Sequence, residues 1–283
     1  NACLQSPAMQ SSQSLWGLDA LDGKLDDKYG FDLTGEGVNV YVVDSGINVR
    51  HPEYEGRATN IFTADTVKNQ EQDDCTGHGS HVAGLIGGKT VGVAKRVNLF
   101  GLRIIDCGKT GSVSDAVEAL NFLSTNMKMP AVINLSLGST ESLRGDTLPR
   151  ALNALARRGA SVVIAAGNSE REVCDTSAPS MTTVPNTFVV GALDRPSAQE
   201  LARDNYNPRR AKFSNFGNCV RWWAPGVDMW STANTTIDVQ GNRMAFESRQ
   251  GTSQAAPLVA GVLAHHLQAN PNLTPSELQA RLA

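Results

Sequence analysis

The stretch Gly37-Val-Asn-Val-Tyr-Val-Val-Asp44 is almost continuously apolar and β-branched, and it stops at a carboxylate. A run of that length and character predicts a parallel strand covered on both faces. Moving outward, residues 97–105, 131–137, 161–166 and 187–192 read the same way. Between them, 114–126 has helical spacing through Val117, Leu120 and Leu123, and 147–158 through Leu148, Leu152 and Leu155. Strand alternating with helix implies an α/β three-layer sandwich, a mostly parallel central sheet with helices on both faces. Ligands of such sheets sit beyond the carboxyl ends of the strands, which is where Asp44 falls.

Composition narrows the function classes. The 283 residues can bury a large core as one domain spanning 1–283, and neither a linker nor a repeat interrupts them. A net charge of −3 with both signs intermixed offers no basic stripe for nucleic acid. The longest apolar runs, such as 160–166, fall far below the roughly 20 residues of a membrane span, so no membrane is expected. The chain begins at Asn1 with neither a charged nor an apolar leader, which reads as a processed mature form. Cys75, Cys107, Cys174 and Cys219 lack the CxxC spacing of a zinc site, so disulfides in a secreted enzyme are expected. Cys3 is left over, as a free thiol or as the partner of something outside the four.

Three segments carry chemistry: VVDSG with Asp44, TGHGSHVAG with His78 and GTSQAAP with Ser253. Each alone is weak, but together they point to a hydrolase in which His78 takes the proton of Ser253 and Asp44 holds the imidazole. The segment from Gly77 starts with small residues and then turns apolar, so His78 is expected at a helix N-terminus with its ring facing Ser253. Gly251-Thr252-Ser253 precedes a long apolar helix whose N-terminal dipole favours negative charge beside the nucleophile. Pro257 is placed in the first turn, where a missing N–H costs least. His81 could complete a metal pair with His78, but no third ligand has suitable spacing; it reads as structural, as do His265 and His266. The nucleophile is not framed as G-x-S-x-G, which argues against a lipase.

On these motifs the chain, from about Trp16 onward, resembles the subtilisin-like serine proteases, in the proteinase K and aqualysin-like branch. The resemblance implies a secreted endopeptidase with the triad Asp44, His78 and Ser253, and with Asn168 of Ala165-Ala166-Gly167-Asn168 donating to the oxyanion beside the Ser253 N–H. It implies that an extended substrate adds as a strand between Gly111-Ser112-Val113 and Ser136-Leu137-Gly138. The S1 pocket would be framed by 136–138 and by Ala165, Ala166 and Gly167, with no acid at hand, which predicts apolar or aromatic P1 residues. The resemblance also implies the disulfides Cys75–Cys107 and Cys174–Cys219, with Cys3 solitary.

The implied partners are protein and peptide substrates and the enzyme's own prodomain during maturation; the implied state is a monomer. No cofactor is implied for catalysis, while structural calcium has candidate ligands in Asp19, Asp22, Asp26 and Asp27 and in Asp65, Asp73 and Asp74. Arg221 stands where proteinase K has a calcium-binding carboxylate, so that site is expected to be absent and replaced by an ion pair. Gln254 stands where the family usually has Met, which removes the oxidisable thioether next to the nucleophile. The same Gln occurs in a non-hydrolytic convertase relative that keeps its prodomain, so a silent binding scaffold is the alternative function. The chain stops at Ala283, short of where relatives continue, which suggests trimming. Asn234-Thr-Thr and Asn272-Leu-Thr are candidate glycan acceptors, whereas Asn134-Leu-Ser lies in an expected buried strand.

Overall fold

The computed structural model describes residues 15–23, 25–67, 73–137, 146–174, 180–197, 200, 207–234 and 246–283; Cys3 and Gly138 lie outside them. In chain order the strands are β1 (Asn39–Asp44), β2 (Ala58–Thr63), β3 (Asn98–Arg103), β4 (Ala131–Leu135), β5 (Ser161–Ala165), β6 (Thr187–Leu193), β7 (Trp222–Pro225), β8 (Met229–Thr232) and β9 (Phe246–Arg249). The helices are α1 (Trp16–Asp19), α2 (His78–Gly87), α3 (Val113–Asn126), α4 (Thr147–Arg157), α5 (Thr252–Ala269) and α6 (Pro275–Leu282).

Seven strands form one parallel sheet in the order β2-β3-β1-β4-β5-β6-β7, and β8 pairs with β9 as a separate antiparallel ribbon. All six residues of β1 are buried, as its composition requires. Alternation along the strand divides the core: Val40 and Val42 join the cluster beneath α2 and α5, while Tyr41 and Val43 join the cluster beneath α3 and α4. Helices therefore cover both faces, and the three layers follow directly from a strand that is apolar on both sides.

After β1 the chain builds β2 and β3 on one side and then crosses to β4 on the other. The crevice at the carboxyl ends of β1 and β4 is consequently the switch point where such sheets bind ligands. Edge strands are less regular than central ones. β2 is mostly half-buried and carries a register shift between Asn60 and Phe62, and β7 ends in Pro225, whose missing N–H an edge tolerates.

One sequence expectation is corrected. Because α5 begins at Thr252, Pro257 lies in its second turn and not its first. The carbonyl four residues back, that of Ser253, thereby loses its helical donor. The hydroxyl of Ser136 supplies the bond instead, at 3.0 Å.

Candidate active site

The general-base segment is fixed by a complete set of partners at the N-terminus of α2. Gly77 caps the helix at φ +74°, a conformation that favours glycine. The N–H groups of Gly77 and Ser80 donate to the two carboxylate oxygens of Asp74 at 2.9 and 2.8 Å. The His78 N–H donates to Thr76 Oγ1 at 3.1 Å, and the Gly79 N–H to Ser45 Oγ at 2.9 Å. Every donor that a helix start would leave orphaned is thus satisfied, two of them by a buried carboxylate at the positive end of the dipole. Gly79 packs so closely on the Gly46 carbonyl that any side chain there would push α2 off the end of β1.

That placement brings His78 onto Asp44. Its Nδ1 lies 2.8 Å from Asp44 Oδ1 and 2.9 Å from Oδ2, and the Ser45 N–H also donates to Oδ1, at 2.7 Å. Asp44 is fully buried, whereas the imidazole is about a quarter exposed, at 26%. Burial works against the imidazolium, but the charge and hydrogen bond of Asp44 outweigh it and raise the His78 pKa above its usual value. An Nδ1–H held by a carboxylate leaves Nε2 as the basic atom.

Ser253 sits in the first turn of α5, where a backbone N–H has no acceptor within the helix. Its hydroxyl donates to the Ser136 carbonyl at 3.1 Å, so in this rotamer it faces the end of β4 and not the imidazole. Asn168 is exposed just beyond β5. Its Oδ1 accepts from the Thr252 N–H at 2.8 Å and from the Thr252 hydroxyl at 2.9 Å. Two donors on one oxygen fix the amide orientation and leave Nδ2 as the outward donor. Thr252 Oγ1 also accepts from the Gly167 N–H at 3.0 Å, which ties the segment after β5 to the nucleophile's turn.

The expected substrate edges fall at the same end of the sheet. Ser136 and Leu137 follow β4, and Ala165, Ala166 and Gly167 end the neighbouring β5, with Gly167 at φ +99°. Gly111 bridges Ile105 beyond β3. Ser112 has a further role: it closes a capping box at the start of α3, accepting from the Asp115 N–H at 3.1 Å and donating its own N–H to Asp115 at 3.2 Å.

Both expected disulfides are present: Cys75–Cys107 with Cα atoms 5.2 Å apart, and Cys174–Cys219 at 5.3 Å. His81 donates from Nε2 to the carbonyls of Met229 at 3.0 Å and Glu247 at 3.2 Å. Burial pushes its pKa down to about 3, so it is a neutral tie between α2 and the β8–β9 ribbon.

Among the described residues, no group of three or more His, Cys, Asp or Glu side chains is arranged to hold a metal ion. Asp74 is committed to α2. Asp19 accepts the Asp26 and Lys28 N–H groups on Oδ1, both at 3.1 Å, and Asp22 accepts the Gly30 N–H at 2.9 Å. At the position expected to lack calcium, Arg221 lies 5.8 Å from the Trp222 ring centroid, beside a cavity of about 360 Å³. There Gln279 of α6 donates to the Thr187 carbonyl at 2.9 Å.

Several of these supports escaped the reading of the sequence: Ser45, Thr76, Asp74 as a cap, the hydroxyl of Ser136, Thr252 and Asn215. Asn215 donates to the Ala166 carbonyl at 2.8 Å and accepts from the Ser169 N–H at 2.9 Å, ordering the turn that carries Asn168. A polar residue inside an apolar strand was one available signal. Asn134, fully buried in β4, donates to Ser136 Oγ at 2.9 Å.

Comparison with known proteins places this geometry in context. Residues 35–283 match the model of the Subtilase family, Peptidase S8. An extracellular serine proteinase of Thermus sp. is 40% identical over 286 residues, covering 99% of this chain and 62% of its own length. The alkaline serine exoprotease A of Vibrio alginolyticus is 36% identical, covering 95% of this chain and 46% of its own. The chain therefore spans less than two thirds of these relatives. A crystal structure of a cold-adapted subtilisin-like serine proteinase superposes with a TM-score of 0.78 at 36% identity, covering 95% of this chain and 90% of that one. No helix among the described residues is long and apolar enough to cross a membrane.

Proposed function

The chain belongs to the subtilase family of serine proteases, and from that premise we propose that it is a secreted endopeptidase that hydrolyses peptide bonds through an acyl-enzyme on Ser253. One observation carries the reading: His78 Nδ1 lies within 2.9 Å of both Asp44 oxygens, at the same sheet end as Ser253. In the reaction the Ser253 hydroxyl leaves the Ser136 carbonyl and turns to His78 Nε2, which takes its proton as Oγ attacks the scissile carbonyl. The imidazolium so formed rests on Asp44. The Ser253 N–H and Asn168 Nδ2 receive the oxyanion, reinforced by the N-terminal dipole of α5. His78 then protonates the leaving amine, and water releases the acyl group by the reverse path.

The P1 side chain would enter between the segments after β4 and β5. Ala165, Ala166 and Gly167 are small and buried, and none of these three, nor Ser136 or Leu137, carries a carboxylate, which supports a preference for apolar or aromatic P1 residues. Cleavage of a P1-varied peptide library tests this; strict cleavage after Lys or Arg would contradict it. Two disulfides support an oxidising, extracellular destination.

A structural calcium fits best in the loop of Asp19 and Asp22. Asp19 is 5% exposed, its carboxylate accepts the Asp26 and Lys28 N–H groups, and burial raises its pKa, a cost that a bound cation would offset. Melting in calcium and in chelator is expected to differ by several degrees, and the Asp19→Asn variant to lose that difference. Equal melting temperatures for the unaltered chain would dismiss the ion.

A further inference from the structure

We propose that Arg249 is a positioning residue for the general base: its guanidinium ties β9, the strand that leads into the nucleophile, to the turn that presents His78. The inference rests on the serine-protease reading of the site. Arg249 is four residues before Ser253, and its Nη2 donates to the Thr76 carbonyl at 3.0 Å. Thr76 in turn accepts the His78 N–H on its Oγ1 at 3.1 Å, so one residue holds the guanidinium through its carbonyl and the base's backbone through its side chain. The approach is close on the neighbouring residue too. A Cβ at Gly77 would lie 3.0 Å from Nη2, so the glycine that caps α2 also makes room for the guanidinium.

Arg249 is itself oriented from its own strand. Its Nε donates to Glu247 Oε1 at 2.9 Å, and Nη2 lies 2.7 Å from the same oxygen. The Arg249 side chain is 26% exposed and that of Glu247 37%, so the pair is only partly screened by water. The result is a clamp between two pieces of chain: the β9 strand, which leads into α5, and the turn before α2.

The clamp also brings a positive charge to the base. The charged groups around His78 are Asp44 from β1, Asp74 from the turn before α2 and Arg249 from β9; the two carboxylates favour the imidazolium and Arg249 opposes it. His81, next along α2, is neutral and faces the β8–β9 carbonyls. Glu247 partly cancels the Arg249 charge. Removing Arg249 and removing the Glu247 charge should therefore act on His78 with opposite sign, whereas a merely structural loss would lower activity for both without moving either profile.

The test compares Arg249→Met, Arg249→Lys and Glu247→Gln. In kcat/KM against pH, the acid limb should move up by about half a pH unit in Arg249→Met, and down by a similar amount in Glu247→Gln. Arg249→Lys keeps the charge and should keep the limb, while losing part of kcat because it cannot hold Thr76 and Glu247 together. The same shifts should appear in the NMR titration of the His78 ring in a Ser253→Ala background, which needs no activity. An inactive parent with those shifts present would count against the protease reading and leave the Arg249 role standing. Limbs that stay put, or that move in the same direction in both charge variants, would overturn it.

Discussion

In the proposed reaction one side chain, that of Asn168, donates to the oxyanion. Its Oδ1 is held by two donors of Thr252, so its Nδ2 is already aimed before any substrate arrives. A donor of that kind acts on the oxyanion and little on the ground state. Asn168→Ala should therefore lower kcat by about 10² to 10³, the loss known for this donor in a subtilisin, with KM nearly unchanged. Steady-state kinetics on one peptide amide checks it, and a loss carried mainly by KM would reassign Asn168 to substrate binding. In the sequence Asn168 was assigned through the family resemblance, from Ala-Ala-Gly-Asn taken together with the three triad segments. The hydroxyl of Ser136 was not, since its role depends on a carbonyl 117 positions away that Pro257 has deprived of a helical donor.

Among elements, those buried on both faces were the most legible. β1, β3, β4, β5 and β6 all fall within or close to the runs read from apolar, β-branched sequence, and α3 and α4 match their spacing to within a residue. β2, β7 and the β8–β9 ribbon were missed. β2 mixes buried and half-buried positions, β7 ends in Pro225, and β8 and β9 are short strands whose pairing joins distant parts of the chain. The turn after α2 shows a different kind of hidden feature. The Nζ of Lys95 donates to the carbonyls of Thr90 at 3.1 Å and Gly92 at 2.9 Å, and lies 5.6 and 5.4 Å from the rings of Tyr29 and Phe31. Burial pushes its pKa down to about 8 from 10.5, so the folded state releases this proton earlier than the unfolded chain does. The charged lysine thus costs stability below pH 8, on the order of 3 kcal/mol, and the cost fades as pH rises to 10.5. Denaturation of the protein and of Lys95→Met across pH 7 to 11 should show the variant's relative stability falling over that window; a constant difference would contradict the account.

For the whole molecule, the parallel sheet matters because it gathers distant segments at one edge. Asp44 ends β1, His78 opens α2, Asn168 follows β5 and Ser253 opens α5, although Asp44 and Ser253 stand at nearly opposite ends of the sequence. The parallel, doubly covered architecture was readable from composition. What sequence could not supply was the rotamer of Ser253, which here donates to Ser136 and must turn to reach the base. The central claim is that this serine is activated by His78 and Asp44. The most direct test is to treat the prodomain-free protein with a fluorophosphonate probe, map the adduct, and run Ser253→Ala and His78→Ala alongside. Labelling confined to Ser253 and abolished in both variants is the predicted result. A folded protein that takes no label, or labels equally well without His78, would contradict the claim and favour a silent binding scaffold.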